Sequence, residues 1–174
     1  MRALRRVGIG VVLAALVTSA PAQAPAPPTP DELRANERAT ILAIQTVLLA
    51  GRTYAASNGG LFDELRCLGE PWSCIPGYPK DGASFLDPTY DWLKPQLGYV
   101  REFHAGPPAT LDEIARSQAS STSLKSFAYT ATPLQPGPGQ RGLCGDSKGR
   151  LCMTRDGSEP PVRNGLCDPC RKLE

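Results

Sequence analysis

The chain has 174 residues, of which only 6% are aromatic, and it carries 17 Gly, 18 Pro and 6 Cys. That length suits one domain with a modest core, and the composition points to a loop-rich fold that needs covalent staples. The formal net charge of +2 is too small to argue for nucleic acid or an anionic membrane as partner.

The N-terminus reads as an export signal over residues 1–22. Arg2, Arg5 and Arg6 form a basic region, Ile9 to Val17 an apolar one, and Ala20-Pro21-Ala22 a small-x-small cleavage site. The apolar run is far short of the roughly 20 residues of a membrane span. The expectation is an exported protein, periplasmic or extracellular, with no membrane span after cleavage. No Cys flanks the cleavage site, which argues against a lipid anchor. Cleavage removes three arginines and no acid, leaving 16 basic against 17 acidic residues, a net charge of −1.

A spacer follows over residues 23–30. The stretch 21–30 holds five prolines and should be extended and semi-rigid. It ends in a helix-start signal, with Thr29 at the N-cap, Pro30 at N1 and Glu32 at N3, the capping-box arrangement. The helix is expected over 30–57, about 40 Å long, with Asn58-Gly59-Gly60 as its stop. Ile41, Ile44, Val47, Leu48, Gly51, Tyr54 and Ala55 fall on one stripe, a core-facing pattern. Leu42 and Leu49 point the opposite way. They are either two exposed leucines on a solvated face or a packing seam for a partner helix.

Residues 58–98 read as an irregular connection, with short helices over Leu61–Leu68 and from Asp87 to about Lys94. Thr110 with Glu113 repeats the capping box and starts another short helix, to Gln118. Strands are expected at about 99–104, 126–132, 141–145 and 150–154, the last three as an antiparallel meander. Taking Ser147-Lys148-Gly149 as a three-residue hairpin loop places Cys144 opposite Cys152. Residues 158–174 read as an irregular, Cys-containing tail.

The stretch Asn36 to Phe62, NERATILAIQTVLLAGRTYAASNGGLF, resembles the amphipathic half of the long helix in bacterial type IV pilins and type II secretion pseudopilins. The segment SFAYTATPLQPGPGQRGLCGDSKGRL is similar to their globular head, where a strand ends in Cys-x-Asp-x-x-Gly. The resemblance covers about residues 31–157. It implies an α+β fold, one long N-terminal helix packed on a small antiparallel sheet. The prepilin leader and the apolar half-helix that anchors and assembles pilins are replaced by a conventional signal and PAPPTP. The implied product is a pilin-like head released as an exported domain.

The cysteines Cys67, Cys74, Cys144, Cys152, Cys167 and Cys170 read first as disulfides, given the even count and export. Local geometry favours Cys67–Cys74, Cys144–Cys152 and Cys167–Cys170. The alternative joins Cys144 or Cys152 to the tail, as pilin heads often do. Cys167-Asp168-Pro169-Cys170 has thioredoxin-type spacing, but it lacks the strand-to-helix context that lowers a thiol pKa. A zinc site from Cys144, Cys152, Cys167 and Cys170 is disfavoured by the same oxidising context. His104, the single histidine, reads as a surface residue at a strand end. The acids Asp63/Glu64, Asp87 and Asp112/Glu113 read as helix-start residues. The functional expectation is a structural or interaction module with no cofactor and no metal. It would have a protein partner or associate with itself. The alternative is an extracytoplasmic thiol-disulfide oxidoreductase using Cys167 and Cys170.

Overall fold

A computed structural model describes residues 27–135, 137 and 140–173. The expected signal peptide, its cleavage site at Ala22 and the first part of the spacer lie outside the described residues. The elements run α1 (Pro30–Ser57), α2 (Leu65–Gly69), β1 (Tyr99–Ala105), α3 (Leu111–Ser117), β2 (Phe127–Pro133), β3 (Gly142–Asp146), β4 (Leu151–Thr154), β5 (Val162–Arg163) and β6 (Leu166–Cys167). The fold is α+β. The long helix packs on a four-stranded antiparallel sheet of order β1-β2-β3-β4, and β5-β6 form a second, two-stranded sheet.

Local chemistry sets the ends of α1. The Thr29 hydroxyl accepts from the Glu32 amide at 3.3 Å, and the Glu32 carboxylate accepts from the Thr29 amide at 2.7 Å. At the other end the Asn58 and Gly60 amides both donate to the Ala55 carbonyl, at 3.1 and 2.8 Å. Thr40, Ile44, Val47, Leu48, Ala50, Gly51, Tyr54 and Ala55 are buried. By length and composition α1 could cross a bilayer, but here that stripe is the core of the domain.

Two glycines let helix and sheet approach closely. A Cβ on Gly51 would sit 2.7 Å from the Phe127 ring, and one on Gly145 would strike Ile44 and come within 2.9 Å of Leu48. Helix glycine meets strand phenylalanine, and strand glycine meets helix isoleucine. The Arg141 guanidinium spans both carboxylate oxygens of Glu37, fixing the N-terminal half of α1 to the start of β3.

Strand alternation divides the interior. Phe127, Tyr129, Ala131, Leu143 and Met153 join the α1 core, while Ala128, Cys144 and Cys152 cluster with Cys167 of the tail on the opposite face. The tail therefore covers the back of the sheet, which is why β2 and β3 are buried on both sides.

Three local expectations are corrected. Residues 87–94 form two separate turns, not a helix. The Asp87 carboxylate accepts from the Thr89 amide at 2.9 Å and hydroxyl at 2.7 Å, and the Asp91 carboxylate closes its own turn on the Leu93 and Lys94 amides at 3.1 Å. Side chains that bond their own backbone compete with helix. The helix expected over Leu61–Leu68 begins only at Leu65, because Phe62 is held in a bridge with Leu124 at 2.9 and 2.8 Å. The tail is not irregular throughout, since Val162 and Arg163 pair with Cys167 and Leu166.

Candidate functional site

The sequence nominated one face of α1 and six cysteines. Leu42 and Leu49 lie on the solvent side of α1, with 63% and 66% of their surface exposed. They form a ridge one heptad long. On one flank of Leu49 lies a groove lined by Thr46, Ala50, Thr53, Tyr78 and Phe85. On the other flank lies a groove lined by Gln45, Leu48, Arg52, Gly149 and Leu151. Both grooves mix apolar and polar side chains, and the exposed Leu49 between them is shared by the two.

The structure joins Cys67 to Cys74, Cys144 to Cys167 and Cys152 to Cys170, so the local pairs Cys144–Cys152 and Cys167–Cys170 are corrected. The hairpin register does place Cys144 opposite Cys152. Gly149 sits at φ 76° in its turn, which favours glycine. Both side chains project from the back face, and each takes a tail cysteine. Cys167 is 1% exposed, and no free cysteine remains among the described residues.

Asp146, the acid of the Cys-x-Asp-x-x-Gly motif, organises the same region, and its contact with the tail was not legible in the sequence. It is fully buried at the end of β3. Its carboxylate accepts from the Arg150 side chain at 2.8 Å, the Lys148 amide at 3.1 Å and the tail amide of Cys167 at 3.1 Å. One side chain thus closes the hairpin and docks the tail.

A second polar network sits at the far end of α1. Asp63, expected as a helix-start acid, is instead buried, and it accepts from the Tyr54 hydroxyl at 3.0 Å and the Thr122 hydroxyl at 2.9 Å. Burial, reinforced by Asp63, pushes the Tyr54 hydroxyl far above its ordinary range. Asn58 donates to Ser123 at 2.9 Å and accepts from the Ser120 amide at 2.7 Å. The polar stretch 118–123 is therefore the partner set for two buried side chains, which its composition alone did not reveal.

A cleft of ≈ 190 Å³ lies beside α2, lined in part by Leu65, Arg66, Asp87, Tyr90, Asp91 and Trp92. That is smaller than the roughly 300–1,000 Å³ of ligand sites. Asp87 and Asp91 beside it are engaged in local turns, and hydrogen bonds from Thr89 hold Asp87 below its usual carboxylate range.

No protein-family model, curated protein or solved structure matches this chain. Its general layout is pilin-like, a long apolar N-terminal helix packed on an antiparallel sheet.

Proposed function

We propose that the chain is an exported, non-catalytic interaction module, a pilin-like head whose long helix presents Leu42 and Leu49 to an apolar helix of a protein partner. The observation that carries this reading is the pair of exposed leucines one heptad apart, Leu49 with a groove on either flank. Two leucines one heptad apart, flanked by Gln45, Thr46, Arg52 and Thr53, match the spacing of a helix–helix seam. Three disulfides fit an oxidising, extracytoplasmic compartment. The pairing also supports this reading over a thiol oxidoreductase. Cys167 and Cys170 are not bonded to each other, and each holds the tail to a different strand.

The test is site-specific photo-crosslinking in the producing cell. A photoreactive residue at position 42 or 49 should give a discrete protein adduct, and one at Asp112, exposed on α3, should not. An adduct with a second copy of the chain would identify the partner as self. Equal labelling from all three positions, or none from 42 and 49, would refute the proposal.

A further inference from the structure

The face of the sheet opposite α1 gathers three side chains that no disulfide or core packing explains. Glu102 and His104 are two residues apart on β1, so they project from the same side of the strand. Tyr99 and Phe103 of β1 pack into the α1 core, which leaves Glu102 and His104 on the tail side. The His104 ring is held in place, because Nε2 lies 2.7 Å from the hydroxyl of Thr130, itself buried at the centre of β2.

The tail supplies the third group. Leaving β4, it is tethered where the Thr154 hydroxyl donates to the Ser158 carbonyl at 2.5 Å and the Ser126 hydroxyl donates to the Asn164 carbonyl at 2.7 Å. Between these tethers Glu159 reaches the edge strand. One ligand atom each from Glu102, His104 and Glu159 lie within 4.8 Å of one another. His104 Nε2 is 4.0 Å from Glu102 Oε2, so an ion ligated by Nε2 would displace the hydrogen bond of that nitrogen to Thr130. Among the described residues, no lysine or arginine forms an ion pair with either glutamate. Two carboxylates converge on one imidazole, and a dication would relieve their repulsion.

We infer that Glu102, His104 and Glu159 form a binding site for a divalent transition-metal ion of the zinc type. Imidazole with carboxylates suits zinc and its first-row neighbours, whereas calcium and magnesium take oxygen donors alone. Zinc bonds of about 2.0–2.2 Å set tetrahedral ligands roughly 3.3 Å apart. The three donors would need to close by about 1.5 Å at most to meet that spacing. Both glutamates are exposed and can rotate that far. Three protein donors leave a fourth position for water. The ion would tie the outbound arm of the tail to β1, as the bridges tie its return to β3 and β4.

The experiment is calorimetric titration of the disulfide-intact exported protein with zinc chloride, run in parallel on His104→Ala, Glu102→Gln and Glu159→Gln, with magnesium and calcium as comparison ions. The expected result is one zinc per chain, no comparable binding of the other two ions, and affinity reduced at least about tenfold in every variant. Zinc should also raise the melting temperature of the parent and not of the variants. The glutamate variants are surface changes that should leave the metal-free melting temperature unchanged, so they keep the test informative if His104→Ala folds poorly. No zinc binding would overturn the inference. So would affinity unchanged in Glu159→Gln, which would leave only a two-residue surface contact on β1.

Discussion

Removing the Cys144–Cys167 bridge should cost the domain close to 3 kcal/mol and expose no thiol. The two tail bridges span sequence separations of 23 and 18 residues. On the chain-entropy model each alone stabilises by about 3.2–3.4 kcal/mol. They overlap, however. With Cys152–Cys170 closed, the shortest path from Cys144 to Cys167 runs through the hairpin and the end of the tail. That path is about a dozen residues, so the first bridge adds about 2.8 kcal/mol in the presence of the second. The perturbation is the double change Cys144→Ala with Cys167→Ala, which leaves Cys152 and Cys170 bonded. The assay is urea denaturation of parent and variant, with a thiol titration of the native variant. Two titratable thiols would refute the pairing, because local bridges Cys144–Cys152 and Cys167–Cys170 would each lose one partner. A loss below about 1 kcal/mol with no free thiol would refute the claim that the bridge constrains the unfolded chain.

Ile44→Ala should cost about 2–5 kcal/mol, since Ile44 is buried against Gly145; Leu42→Ala on the exposed ridge should stay within about 0.5 kcal/mol, and equal losses by denaturant titration would refute the face assignment. Arg101→Met should leave stability unchanged or raised in a thermal melt, because Arg101 is 3% exposed and its Nε has no hydrogen-bond partner, while its Nη1 donates only to the Tyr90 hydroxyl at 3.2 Å. A large drop would show that this cation stabilises the fold. Burial pushes the hydroxyls of Tyr99 and Tyr129 up from 10.0 to about 12. The folded form therefore holds these protons more tightly, so their contribution is complete below pH 10 and is lost as pH rises toward 12. Denaturation curves across that window should show falling stability, less steeply in Tyr129→Phe, and a slope unchanged by that substitution would count against the assignment.

What the sequence revealed was what neighbouring residues decide. The capping boxes at Thr29 and Thr110 form as their spacing requires, because each needs only a hydroxyl and a carboxylate three residues apart. The Gly149 turn determines the Cys144–Cys152 register for the same reason. Contacts across long separations were not legible. Cys144 faces Cys152, so a bridge between them is the nearest local solution. Only the folded path of the tail, docked through Asp146 onto the Cys167 amide, brings other partners closer. Asp63 carries the local signature of a helix-start acid, yet its partners lie at Tyr54 and Thr122. Of the proposed metal site, Glu102 and His104 share a face by strand periodicity, but nothing local places Glu159 beside them.

The most direct measurement is a non-reducing mass-spectrometric peptide map of the protein recovered outside the cytoplasm. The expected map shows a chain that starts after Ala22, with Cys67 linked to Cys74, Cys144 to Cys167 and Cys152 to Cys170. A product that retains Ile9 to Val17, or that carries Cys167 and Cys170 as a free or mutually bonded pair, would contradict it.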